Sequence, residues 1–479
     1  MKKALPIIFV LFSLAAEAQS HYDSTAIAEH FKRADHILNI LREFRIMAFA
    51  TPEWQRADTA GIKSVQGGNF PAAANNRFII RWGRFILGWE HEIVTKKGDT
   101  IKVGQFAFNM DATEKGFNGM YEFYGRIMDP WTGWFGIRGG IFLRPFGFET
   151  PDAANVHESP EGNRINQSLF PNISELGEEF IIESPRSFKP LYLRAEAGVV
   201  NGDGIGIAGE TGAYQSRKDF MSRIWIGKAF PLSGGTKITI NASGSYYNGG
   251  VMQTTNNVYE VEKNAQGTEV FQNITIGTAD TAWKNHMFEY KRVYYGTHAQ
   301  LNFDYGVRGE FTASTMFRGE FIAGQQPGQL GSSTVPTPIG TAVPGADLYI
   351  REFRGGAAYF TQSFHYKAGK QLMHTDLTFK FDVYNPNTQV KGSEILAVNH
   401  FSTTDLTYNT FSGGITFCPV QYFKLVLWYD HVVNENTGLA DWSSDYKKDD
   451  VFTIRTQFSI DSWWFDKKTI NPSLIQKSY

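Results

Sequence analysis

The sequence predicts an all-β protein: a 16-stranded antiparallel transmembrane β-barrel with short periplasmic turns, long external loops and a short N-terminal helix. Three observations carry that prediction. Segments of about ten residues or more alternate apolar and polar side chains, the period a strand needs to show one face to lipid and the other to water. The links between them alternate short and long. An export leader precedes them, and no later apolar run reaches the ~20 residues of a spanning helix.

Composition agrees and excludes other classes. The chain has 479 residues, with 46 Lys plus Arg against 48 Asp plus Glu and a net charge of −2, which removes the electrostatic case for a nucleic-acid partner. Aromatics at 15% and 47 glycines lean toward strands joined by turns. The single cysteine, Cys418, excludes an intramolecular disulfide framework and a cysteine-based zinc cluster.

The elements follow in order. Residues 1–18 read as a signal peptide: Lys2 and Lys3, an apolar run from Leu5 to Ala15, then Ala16-Glu17-Ala18, with cleavage expected near Ala18. Residues 19–43 form an N-terminal periplasmic segment. There Ile27, Phe31, Ala34, Leu38 and Leu41 recur at helical spacing after Ser24, which predicts a short amphipathic helix. Residues 44–461 are the barrel and 462–479 a polar C-terminal tail.

Within the barrel, Ile238, Ile240, Ala242 and Tyr246 alternate with Lys237, Thr239, Asn241 and Ser243. Met373, Leu377, Phe379, Phe381 and Val383 alternate likewise with His374, Asp376, Thr378, Lys380 and Asp382. In Lys291 to Tyr305, Val293, Tyr295, Thr297, Ala299, Leu301 and Phe303 face outward. Short links fall at Lys96 to Asp99, Asp129 to Gly133, Pro231 to Gly235, Tyr305-Gly306, Ala368 to Gln371 and Pro419-Val420. Long ones are Thr51 to Asn76, Phe146 to Leu176, Asn201 to Ser216, Asn248 to His286, Gly324 to Leu348, Pro386 to Thr403 and Asn434 to Asp450. Alternation demands one strand more, before Pro185, and Gly177 to Glu183 supplies it. The count is then even, with both termini at the short-turn end.

Strand parity names the lumen. In Trp134 to Arg144, Phe135, Ile137, Ile141 and Leu143 face lipid, so Arg138 and Arg144 point inward at the mouth of the long Phe146 to Leu176 loop. Arg126, Arg194, Arg223, Lys237, Arg292, Arg308, Arg318, Lys380, Lys424 and Arg455 join them. Inward carboxylates are Glu122, Glu196, Asp304, Glu310, Glu320, Asp376, Asp382 and Asp430, and facing charges of this kind can pair across strands. Catalytic signatures are scarce, so no enzyme is expected. Gly204 to Gly209 matches GxGxxG but opens no helix pattern. Glu90-His91-Glu92 is the nearest thing to a metal seed, yet the histidines are dispersed. The acidic run Asp441 to Asp450 reads as a solvated loop. No cofactor and no metal is expected.

Four segments in order resemble the phosphate-selective porin O and P family: Arg77 to Gly88, Ile141-Phe142-Leu143-Arg144-Pro145-Phe146-Gly147-Phe148-Glu149, Gly198 to Gly204, and Arg217 to Arg223. The resemblance spans Arg77 to Phe458. It implies an outer-membrane porin, usually trimeric, whose third external loop (146–176) folds inward as a constriction. Arg77, Arg81, Arg138 and Arg144 would belong to the family's run of lumen arginines. The loop itself carries Glu149, Asp152, Glu158, Glu161 and Glu175 against one cation, Arg164, and carboxylates at a narrow point repel anions. The expectation is a passive channel for small hydrophilic solutes or ions, set in outer-membrane lipid and lipopolysaccharide. An anion- or phosphate-selective channel is one alternative. A plugged barrel with a structural or secretion-associated role is another.

Overall fold

A computed structural model describes residues 43–461, except 64–65, 96–97, 99, 114–115, 151–156, 172, 186–190, 203–217, 251–256, 275–290, 335–346, 369–370 and 440–448. The leader, the N-terminal helix, the GxGxxG segment, most of the acidic run and the C-terminal tail therefore lie outside the described residues.

Strands β1 (Phe44–Ala57), β2 (Asn76–Val94), β3 (Thr100–Thr113), β4 (Gly116–Met128), β5 (Phe135–Leu143), β6 (Ser174–Glu183), β7 (Leu191–Val200), β8 (Asp219–Pro231) and β9 (Lys237–Gly250) pair antiparallel in sequence order. A hairpin of β10 (Val258–Lys263) and β11 (Glu269–Asn273) interrupts them. The order resumes with β12 (Lys291–Arg308), β13 (Phe311–Gly328), β14 (Leu348–Ala368), β15 (Gln371–Asn385), β16 (Tyr408–Val420), β17 (Phe423–Val432) and β18 (Val451–Asp461). β9 pairs with β12, and β18 returns to β1 with Met47 opposite Asp461 and Ala57 opposite Val451. The result is a closed 16-stranded antiparallel barrel, which leaves no sheet edge unpaired. The strand required before Pro185 is β6.

Alternation settles the two faces. Phe78 is 82% exposed, Ile127 72%, Ile137 60% and Phe379 61%, all on the outer surface. Arg126, Arg138, Glu179 and Glu196 hold the intervening inward positions. Ile141 and Leu143 also take outward positions but are buried, Ile141 lying between Phe123 and Leu176 of the adjoining strands.

Several sequence expectations shift. The turn expected at Pro419-Val420 lies at residues 421–422, because β16 runs on to Val420. β1 continues to Ala57, so the first long loop begins at residue 58 rather than Thr51; a register shift between Thr51 and Pro52 accommodates the proline, which has no N–H for the ladder. The turn expected at Tyr305-Gly306 lies at residues 309–310. Gly306, at φ +76°, takes up a register irregularity between Asp304 and Val307, and β12 runs on to Arg308. Glu310 consequently sits in a turn and not on the inward wall. The β3–β4 link spans only residues 114–115, a short connection at the long-loop end. The β10–β11 hairpin was not expected. It packs Phe271, with Tyr259 and Val261, against Tyr349 and the loop residues Val390, Ile395, Phe401 and Leu406, building a small apolar core above the barrel mouth.

Candidate channel constriction

The long loop between β5 and β6, the third connection at that end, leaves β5 at Arg144 and turns into the lumen. Its seat is apolar. Phe146 and Phe170 pack with centroids 5.2 Å apart, and both meet Tyr294 edge-on. Tyr247 stacks on Tyr294 at 4.9 Å. Phe142, Ile165, Leu169, Val200, Met221, Ile322, Phe353 and Tyr384 complete a fully enclosed layer near the long-loop end. Ile165 and Leu169 enter it from a short helix, α1 (Arg164–Leu169), whose N-cap Asn163 accepts a hydrogen bond from the Asn166 N–H. Gly147 is at φ +64°, and a Cβ there would collide with the Glu320 carboxylate, so the Pro145-Phe146-Gly147-Phe148 run needs glycine to approach the wall.

Polar fastenings then tie the loop to the wall. Glu320 accepts from the Phe148 N–H (2.6 Å) and from the side-chain amides of Asn163 (3.2 Å) and Asn166 (2.8 Å). Lys380 donates to the carbonyls of Glu161 and Gly162 and pairs with Asp382 at 3.3 Å. Asp382 accepts the Arg164 N–H at 3.0 Å. Arg223 reaches the Gly147 carbonyl at 3.0 Å and Lys424 the His157 carbonyl at 3.3 Å.

The selectivity residues named from sequence fall into pairs. Arg81 grips Glu161 with two bonds of 2.8 and 3.0 Å, and Arg455 approaches the same carboxylate at 3.7 Å while bonding Glu53 at 2.7 Å. Glu158 forms a fork with Arg318 at 3.0 and 2.5 Å. Arg144 pairs with Glu175. Down the wall of β4–β8, Arg126 meets Glu183 (2.6 Å), Arg138 meets Glu179 (2.8 Å), and Glu196 lies between Arg194 (2.6 Å) and Arg223 (2.5 Å). Arg292 lies 3.6 Å from Asp219 and donates to the Gly202 carbonyl. Arg77 belongs elsewhere: it bonds Gln55 and the carbonyls of Gly68 and Asn69, holding the first long loop. Asp152 lies outside the described residues.

Glu149 is a fastening and not a pore-facing charge. It is buried and accepts from the Asn163 N–H (2.7 Å) and the Asn166 side chain (3.3 Å). Burial pushes its carboxyl up to about 8 against the pull of Lys380, with Glu320 and Asp382 adding to the rise. Burial, reinforced by Arg318, Arg84, Lys424 and Arg455, pushes the His157 imidazole down to about 3, so it is neutral at ordinary pH.

Sequence parity placed Arg318, Glu320, Lys380 and Asp382 inward but gave them no part in the constriction. Nothing marked Phe146 and Phe170 as the seat except an aromatic-rich run in a loop. The metal seed dissolves: Glu90 faces inward to Gln105 and Lys102, while His91 bonds Glu43 on the opposite face.

No family model matches the chain and no curated protein matches it. Among solved structures it is similar to the high-pH structure of Pseudomonas putida OprB, at 9% identity and a TM-score of 0.47, covering 89% of this chain and 97% of that one. The outer membrane channel DcaP of Acinetobacter baumannii gives 10% identity and a TM-score of 0.42 over 87% and 97%. The anion-selective porin from Comamonas acidovorans gives 7% and 0.41 over 87% and 99%. At TM-scores below 0.5 these likenesses carry no weight for what this chain does.

Proposed function

We propose that the chain is an outer-membrane porin: a passive, water-filled channel for small hydrophilic solutes or ions. The observation that carries this reading is the closed barrel with an apolar outer surface and a charged inner one, the arrangement a membrane imposes on strands. Trp131, 83% exposed, and Tyr422 at the short-turn end suit the aromatic girdle of the periplasmic interface. Such a barrel contacts lipid and lipopolysaccharide, and assembly as a homotrimer follows the family resemblance.

The ladder of β4–β8 lines the lumen below the seated loop. Pairing of Arg81, Arg126, Arg138, Arg144, Arg194 and Arg223 with carboxylates supports weak charge selectivity over a phosphate-specific site, because neighbouring opposite charges cancel within a Debye length. The enclosed apolar layer favours a second reading, a barrel closed by its loop. Planar bilayers decide. Single-channel steps with a reversal potential near zero in a potassium chloride gradient are expected. Strong anion preference with phosphate block would revive the phosphate channel, and folded protein without steps would establish the closed barrel.

A further inference from the structure

Where the constriction loop meets β13 and β15, three carboxyl groups are enclosed with one ammonium. Glu149 of the loop, Glu320 of β13 and Asp382 of β15 are all buried, as is Lys380 of β15. The Lys380 ammonium bonds elsewhere than to Glu149: to Gln66 Oε1 at 3.1 Å, to the Glu161 and Gly162 carbonyls at 3.2 and 3.3 Å, and to Asp382 at 3.3 Å. Asp382 also accepts from the Gln66 side chain at 2.8 Å and from the Arg164 N–H at 3.0 Å.

Glu149 has no cation of its own among the described residues. It accepts from two neutral amides, the Asn163 N–H and the Asn166 side chain. The Asn166 side-chain nitrogen is shared, lying 3.3 Å from Glu149 Oε2 and 2.8 Å from Glu320 Oε2, so two carboxyl groups crowd one donor. The chain closes tightly over the group: a Cβ on Gly162 would lie 2.7 Å from Glu149 Oε1. The other charges nearby have partners. Arg318 of β13 forks onto Glu158, and Arg81 grips Glu161. Tyr359 of β14 adds a neutral phenol. Glu320 and Asp382 already outnumber Lys380, so ionising Glu149 would add a second uncompensated charge where water is excluded.

We propose that Glu149 is a proton-binding latch for the constriction loop: protonated, it lets the loop seat against β13 and β15, and ionised, it repels Glu320 and Asp382 and loosens the loop from the wall. Burial raises this carboxyl from 4.5 to about 8 against the pull of Lys380, with Glu320 and Asp382 adding to the rise. In a loosened loop the group regains water and its ordinary value. Seating is therefore firmest below about 4.5, weakens by up to about tenfold per pH unit above that, and levels off beyond about 8. The latch goes beyond the channel reading and needs only the seated loop.

The test uses the full mature chain refolded in detergent, so it reads the loop whether or not the barrel conducts, and its failure leaves the channel reading standing. The N–H groups of Phe148, Asn163 and Arg164 donate to Glu320, Glu149 and Asp382, and their hydrogen exchange reports seating. Their protection, corrected for the intrinsic pH dependence of exchange, should fall by up to about tenfold per unit from about pH 5 to about pH 8 and then level off. Amides of the β13 ladder should keep theirs. Glu149→Gln, uncharged at every pH and still able to accept from the Asn163 N–H, should flatten the profile. A carboxyl carbon titration of Glu149 in the parent chain should give a midpoint well above 4.5 and toward 8, and it decides the matter should the variant fail to fold. A midpoint near 4.5, a pH dependence that survives in Glu149→Gln, or equal loss of protection along β13 would overturn the proposal.

Discussion

Toward the long loops the lumen is filled by Phe142, Phe146, Phe170, Tyr247, Tyr294 and Phe353, none more than 3% exposed. Toward the short-turn end of β4–β8 the wall is built from ion pairs, and Arg126, Arg138 and Arg194 keep 11–14% of their side chains open. The two regions share strands but not chemistry. Burial of aromatic area fixes where the loop sits and excludes water. Paired charges leave a wet wall whose net field is small, because each arginine lies beside a carboxylate. If the barrel conducts as proposed, loop position and permeation would be governed by different residues, and substitutions should separate them.

The largest effect belongs to the seat. Phe146→Ala removes a fully buried ring that touches Phe170 and Tyr294, and loss of that packing should cost about 3–5 kcal/mol. The loop should loosen, so denaturant unfolding should shift downward while single-channel conductance rises. An unchanged conductance beside a lowered stability would mean that the polar fastenings at Glu320 and Lys380 hold the loop without the aromatic layer.

The ladder should respond differently. Arg126→Met removes a partner of Glu183 from a largely buried pair, 14% and 25% exposed, so stability should fall by about 1–3 kcal/mol, less than at the seat. Selectivity should move as well. Glu183 would retain the Tyr192 hydroxyl at 3.4 Å and, as a cation, the more distant Arg194 at 3.9 Å, and the reversal potential in a salt gradient should shift toward cation preference. A stability loss as large as that of Phe146→Ala would erase the distinction between the two regions.

How much of this was legible varies with the physics of each region. Period-two alternation exposes a strand whenever its faces meet different solvents, so β9, β12 and β15 could be read directly, and parity placed Arg138 and Arg144 inward. The β10–β11 hairpin escaped because it packs on neighbouring loops, with no lipid face to impose the pattern. Pairing across strands needs register, which alternation does not supply: that Glu161 meets Arg81 while Glu149 turns into the loop's own interior depends on how the loop folds back. The Ile141 to Glu149 motif marked where the loop starts, but its aromatic seat is contributed by β9, β12, β14 and β15 as well.

The smallest effect sharpens the lower boundary of the ladder, at the turn joining β4 to β5. Asp129 accepts from the N–H groups of Trp131 (3.0 Å), Thr132 (2.9 Å) and Trp134 (3.2 Å) and from the Thr132 hydroxyl. Slight burial would raise its carboxyl, but these bonds, led by the Thr132 hydroxyl, outweigh it and hold the group down to about 2. A depressed carboxyl stabilises the fold above its ordinary value near 4, and that contribution fades as pH falls through about 2. A carboxyl carbon NMR titration of the refolded barrel should thus place Asp129 near 2, and Thr132→Val should move it upward. A midpoint near 4 in the parent chain would mean the turn is open in solution, and that the cross-strand pairs Arg126–Arg138 and Arg138–Glu179 hold the base of the ladder without it.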